Sequence, residues 1–203
     1  QIKYEMPGYK DWILSRWQAY SLPHIMKYNL MAQSKIIDSS DAIIVHSYYA
    51  ALRLLLESGH DAEMPPIAVM QHPKDRSVVG VTRKTNDGKF VVGCFGWISE
   101  AKRPIPIVAG FSRFLSSLPP VDRAAVQLKF VGELAQKSLN PLHLAEAYGC
   151  KKNTVHLGHV SDEEFLQEMS SVNLMFNLRF PSCGETSGTL SLASEMGIPV
   201  AMS

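Results

Sequence analysis

An α/β fold built on a parallel sheet is predicted from three features of this 203-residue chain. Apolar runs of strand length recur at Phe90–Phe95, Gln127–Val131, Thr154–Leu157, Val172–Leu178 and Val200–Met202. Stretches of helical apolar spacing lie between them, near 104–117, 141–149, 161–170 and 187–196. The composition, 46% hydrophobic and 19% charged, is that of a globular chain with enough apolar side chains for a real core. Strand-helix alternation of this kind favours parallel pairing with helices on both faces, because parallel strands need long right-handed crossovers.

The chain opens with Trp12, Ile13, Trp17, Tyr20, Ile25, Met26, Leu30 and Met31 at mostly helical spacings, so two helices separated near Pro23 are expected over Tyr9–Ile37. Asp41–His46 reads as a short strand. Tyr48–Ser58 reads as a helix carrying Leu52, Leu54, Leu55 and Leu56 and ended by Gly59. Ile67–Met70 is another strand, and His72–Asp87, with Pro73, Gly80 and Asn86 and no periodicity, is the best linker candidate. In the regular part, Pro104 suits the first turn of a helix, and Ser161 with Glu164 has capping-box spacing. The last unit is the most informative. A buried strand at 172–178 meets Pro181, Ser182 and Gly184, then Thr186 and Ser187 offer N-cap hydroxyls to a helix that Gly197 and Pro199 terminate.

Net charge and cysteine usage exclude several function classes. A formal charge of +1 without Lys/Arg blocks disfavours general binding to nucleic acid. Cys94, Cys150 and Cys183 are odd in number and lack CxxC spacing, which suits a reduced, cytoplasmic protein. No apolar run reaches the roughly 20 residues of a membrane helix, and no signal peptide opens the sequence. Gln1 is not an initiator Met and the final strand lacks a covering helix, so a fragment is expected.

Two strand ends offer anion chemistry. After Phe95, Gly96-Trp97-Ile98-Ser99-Glu100-Ala101-Lys102-Arg103 leads into a helix, placing two cations at the end of a helix dipole that disfavours them. An anionic ligand would reconcile this, and so would a solvated Lys-Arg pair balanced by Glu100. Near Thr186–Thr189 the free amides of a helix N-terminus suit phosphate, with Gly188 permitting close approach. There Glu185 either holds neutral hydroxyls or only compensates the dipole. His156 and His159 lack partner ligands at suitable spacing, so no metal is expected. No GxSxG, P-loop or GxGxxG stands out.

In their order these pieces resemble glycosyltransferase family 4, the retaining, nucleotide-sugar-dependent enzymes of GT-B fold. Ser40–Ser47 is similar to a late strand of the family's acceptor domain, and Ile67–Pro73 to the strand before its interdomain linker. Val91–Arg103 resembles the first loop of its donor domain. Val131-Gly132-Glu133 and Val155–Glu164 resemble the next strand ends, the latter with the loop that meets the nucleotide base. Asn177–Pro181, Gly184–Gly188 and Gly197–Val200 resemble the donor-sugar motif of a GETSG-bearing subgroup.

The resemblance implies a GT-B-like chain with the last part of an N-terminal acceptor domain at 1–72, a linker at 73–88, and a nearly complete Rossmann-like donor domain at 89–203, truncated at its end. It implies transfer of a sugar from a nucleoside diphosphate to a glycan, lipid-linked or small-molecule acceptor, with retention and with no metal or other cofactor. The implied catalytic residues are Lys102, on the diphosphate, and Glu185, on the sugar. The implied donor-binding residues are Gly96, Trp97, Arg103, Gly158, His159, Val160, Thr186, Ser187, Gly188 and Thr189. A cytoplasmic site follows, with peripheral association at the inner face of the membrane through the absent part of the N-terminal domain. Two positions depart from the family pattern. Trp97 stands where many members have an Arg five residues before the diphosphate Lys, and Leu192 or Ala193 where many have a second Glu. The departures keep one rival open, a non-catalytic nucleotide-sugar-binding domain, and the similar cleft of another GT-B enzyme, a nucleotide-sugar epimerase, keeps open a second.

Overall fold

The structure, a computed structural model, describes residues 37, 39–57, 64–70, 72, 81, 86, 88–180 and 186–203. The helices expected over Tyr9–Ile37, apart from Ile37 itself, most of the segment 73–88, and Glu185 lie outside the described residues. The chain divides into two compact units, one built on Gln1–His72 and the other on Pro73–Cys183 with Ser187–Ser203.

In the first unit β1 (Ile43–Val45) pairs in parallel with β2 (Ile67–Val69), Ile44 opposite Ala68. Helix α1 (Tyr48–Glu57) connects them and starts where the Ser47 hydroxyl accepts the Ala50 N–H. The strand, helix and strand are the expected elements, the first strand shorter by two residues at its start and one at its end, the second by one at its end only.

The second unit is a five-stranded parallel sheet in the order β5-β4-β3-β6-β7, from β3 (Phe90–Phe95), β4 (Val126–Val131), β5 (Thr154–His156), β6 (Leu174–Asn177) and β7 (Val200–Met202). The intervening helices are α2 (Pro104–Ser117), α3 (Pro141–Ala147), α4 (Asp162–Ser170) and α5 (Gly188–Glu195). Every strand pair is parallel, as the alternation predicts.

Strand alternation sorts β3 between two cores. Val92 and Cys94 pack with Ile107, Val108, Phe111 and Ala145 of α2 and α3, while Val91 and Phe95 pack with Met169 and Ala193 of α4 and α5. A part-buried ion pair joins β4 to α4: Lys129 meets Glu168 at 2.5 Å and donates to the Ser171 hydroxyl at 3.1 Å. Helix starts follow the predicted chemistry, with Pro104 and Pro141 in first turns, Ser161 accepting the Glu164 N–H and Ser187 accepting the Leu190 N–H.

Strand order fixes where a ligand can bind. The chain lays β3, β4 and β5 outward in one direction and then crosses back to place β6 and β7 on the other side of β3. The loops leaving β3 and β6 therefore diverge, opening a crevice at the carboxyl ends of these two neighbours.

Candidate functional site

Both anion-friendly stretches lie at this switch point. Leaving β3, Gly96 has φ +84°, a conformation that glycine adopts without strain. A Cβ there would stand 2.7 Å from the Lys102 Nζ and 3.5 Å from a methyl carbon of Thr189, so Lys102 and the start of α5 meet over Gly96. The Ser187 hydroxyl donates to Asn177 Oδ1 at 3.2 Å and lies 3.0 Å from the Thr189 hydroxyl, fixing the first turn of α5 to the end of β6.

Lys102 closes a short 3-10 turn, Glu100–Lys102, and its ammonium folds back to donate to the carbonyl of Phe95. Beneath it lies an apolar pocket lined by Cys94, Ile98, Ile107, Phe130 and Phe176. Burial pushes the Lys102 pKa down to about 8, and the nearby Arg179 guanidinium adds to the shift while Cys94 opposes it. The same burial pushes the Cys94 thiol well above its ordinary range. Lys102 is thus no member of a solvated pair. Arg103 next to it takes a left-handed conformation, φ 59° and ψ 43°, uncommon for a residue with a side chain, and its guanidinium lies over the Phe180 ring at 5.2 Å.

The loops after β3, β4 and β5 are stitched together through Gly132. Its N–H donates to Gly158 O at 2.7 Å, its carbonyl accepts from His156 Nε2 at 2.9 Å, and Gly96 packs on its Cα face. Gly158 (φ +69°) is thereby held to the crevice, and Val160 packs into the second core. His159 and Thr186 are exposed, and Trp97 is 65% exposed at the mouth of its loop. Glu185 lies outside the described residues.

Gly96, Lys102, Ser187 and Thr189 of the predicted set therefore come together directly, Gly188 lies within the same first turn, and Gly158 joins through Gly132. Sequence reasoning assigns no role to Gly132, His156 or Arg179. Only Arg179 carries a local signal, a lone cation immediately beyond a buried strand. Among the described residues no group of three His, Cys, Asp or Glu is placed to hold a metal ion, and no helix is long and apolar enough to cross a membrane.

No family model matches the chain, and no curated protein matches it. Solved structures do. HepE of Anabaena, crystallised in complex with UDP and glucose, superposes with a TM-score of 0.59 at 20% identity, over 86% of this chain and 48% of that one. Sucrose-phosphate synthase of Thermosynechococcus elongatus gives 0.63 at 17%, over 93% and 47%. WaaG, a glycosyltransferase involved in lipopolysaccharide biosynthesis, gives 0.53 at 17%, over 81% and 44%. At such identities the likeness establishes the fold, an α/β chain of GT-B type, and the chain spans about half the length of these solved relatives.

Proposed function

We propose that the chain carries the donor-binding half of a retaining glycosyltransferase of family 4, GETSG-bearing subgroup, transferring a hexose from a nucleoside diphosphate to a glycan, lipid-linked or small-molecule acceptor. In this reading 89–203 is the donor domain, 73–88 the linker and 1–72 the end of the acceptor domain. The protein works in the cytoplasm or at the inner face of the membrane, without a metal. One observation carries the reading: a part-buried ammonium, Lys102, held beside the first turn of α5 at the switch point of the sheet. A desolvated cation beside the start of a helix, whose first amides have no partner within the helix, is an arrangement suited to a phosphate.

As the glycosidic bond breaks, the departing diphosphate gains negative charge. Lys102 and the amides of Gly188 and Thr189 would stabilise that charge in place, without reorganisation. Glu185 would accept hydrogen bonds from the sugar hydroxyls and orient the ring, and departure and attack on one face preserve the configuration. In the intact enzyme Glu185→Ala is expected to lower transfer more than about tenfold, with a smaller change in affinity for the nucleoside diphosphate alone. Near-normal transfer would remove Glu185 from the mechanism. A thermal-shift panel of UDP-, GDP- and dTDP-sugars identifies the donor.

Donor affinity should also depend on pH, with a sign set by Lys102. Its pKa in the free protein is about 8, and an anion pairing with it restores the charge and raises that value. Affinity for a nucleotide sugar, whose two phosphates do not titrate near neutrality, is then flat below about pH 8 and falls above it. Between pH 7 and pH 9 the loss should be about tenfold, accompanied by proton uptake visible as buffer-dependent calorimetric heat. A flat profile over this range would mean that Lys102 does not touch the ligand.

One observation favours the non-catalytic reading. Ala193 of α5, in the region where many family members carry a second Glu, is fully buried in the core and brings no group that could bind a ribose. Donor binding without transfer or donor hydrolysis, across a panel of acceptors, would decide for it.

A further inference from the structure

The loop that leaves β6 brings a second cation to Lys102. Phe180 N–H donates to the carbonyl of Ala101 at 2.9 Å, one residue before Lys102, so the two diverging loops are joined across the switch point. The backbone of Arg179 is clamped from the other side, its N–H donating to the Ser203 hydroxyl at 3.1 Å and its carbonyl accepting from that hydroxyl at 3.2 Å. Its Nε is out of contact with solvent. Three bonds thus fix the base of this side chain beside the crevice, independently of what its guanidinium touches.

We propose that Arg179 binds the diphosphate of the donor together with Lys102, as the second cation of the site. The proposal rests on the donor-binding reading given above. Two positive groups held at one end of a sheet repel each other, and the Arg179 charge does bear on the Lys102 ammonium. A bridging diphosphate, with one negative charge on each phosphate, turns this repulsion into two attractions. The two side chains also divide the work: Lys102 is a compact point charge that can lose its proton, whereas Arg179 stays charged at every working pH and presents a planar fork suited to two phosphate oxygens. Trp97, on the same loop as Lys102, brings no charge.

The test is calorimetric titration of the full chain and its K102M, R179M and R179K variants with UDP, GDP, ADP and dTDP, and with the matching nucleosides. R179M should weaken the preferred diphosphate by about 10- to 100-fold, R179K by less, and nucleoside binding should hardly change in either. If the unsubstituted chain binds none of the four diphosphates, the donor-binding reading fails and this inference with it. If it binds one, K102M weakens it and R179M does not, this inference alone is overturned. Should R179M fail to fold, the unsubstituted chain decides: phenylglyoxal labelling of Arg179, mapped by mass spectrometry, should be slowed by the bound diphosphate and not by the nucleoside. Labelling of Arg179 that the diphosphate leaves unchanged would overturn the proposal.

Discussion

Lys102→Met is expected to weaken donor binding strongly while stabilising the unliganded protein. On the binding side it removes a part-buried cation from a diphosphate, and truncating one member of such a pair weakens affinity by roughly 100-fold or more. Transfer should fall further, by about 10³-fold, because the lost charge is the one that meets the developing negative charge of the leaving group. On the stability side the sign is opposite. The folded-state pKa of Lys102, about 8, lies below its ordinary value of 10.5, so holding the side chain charged in the fold is unfavourable at neutral pH, by about 3 kcal/mol. Losing the bond to Phe95 O returns part of that, about 1–2 kcal/mol, and the remainder raises the thermal midpoint by roughly 2–6 °C. The pH dependence identifies the cause. The advantage of the variant is full below about pH 8 and fades as pH rises to 10.5, above which the lysine is neutral in both states. A variant that melts like the unsubstituted chain at pH 7, and binds donor equally well, would place Lys102 outside the site.

The same residue shows how far the sequence reaches. The strands of the sheet are legible because each is a short contiguous apolar run, and the shifts in their ends have physical causes. Val172 was within the expected run 172–178, yet it closes the turn after α4, fully buried, with its N–H on the Met169 carbonyl, so pairing begins only at Leu174. Leu157 likewise reads as strand but is partly exposed beyond the last paired residue, His156. Helix α3 stops at Ala147 although the apolar pattern continues, because Gly149 turns the chain with φ +72° and Cys150 is buried by that turn. For the site, the dipole argument at Lys102 left a solvated pair and an anion site equally open. In the fold the Lys102 ammonium is part-buried and turned onto the Phe95 carbonyl, and the return of the chain from β5 to β6 sets Thr189 beside Gly96. Gly132, His156 and Arg179 lie within stretches that carry the family resemblance, but nothing in those stretches assigns them a role. Their importance comes from contacts between loops far apart in sequence, which periodicity does not encode.

Gly132→Ala tests that stitching, and it is expected to be the most damaging single-methyl change in the second unit. Gly132 has φ +141°, a region that residues with a Cβ rarely adopt. The added Cβ would stand 2.6 Å from the carbonyl carbon of Gly96, closer still to its oxygen, and 3.1 Å from its Cα. These are backbone atoms and cannot swing aside as a side chain would. The Gly96 loop must move away, and with it go the Gly132 bonds to Gly158 and His156 and the packing of Lys102 over Gly96. A loss of about 3–5 kcal/mol is expected, a fall in thermal midpoint of roughly 6–15 °C, together with loss of donor binding. Two other glycines calibrate the result. Gly158→Ala meets open space but keeps a left-handed backbone at φ +69°, and should cost about 1–2 kcal/mol. Gly110→Ala, in the middle of α2 with nothing near its Cβ and an ordinary φ, should stabilise by about 0.5–1 kcal/mol. Measured by thermal melts and donor titration, the order Gly110, Gly158, Gly132 from gain to severe loss is the expected outcome. A Gly132→Ala protein as stable as Gly158→Ala, with donor affinity intact, would mean that the loops after β3 and β4 are not pressed together at the site.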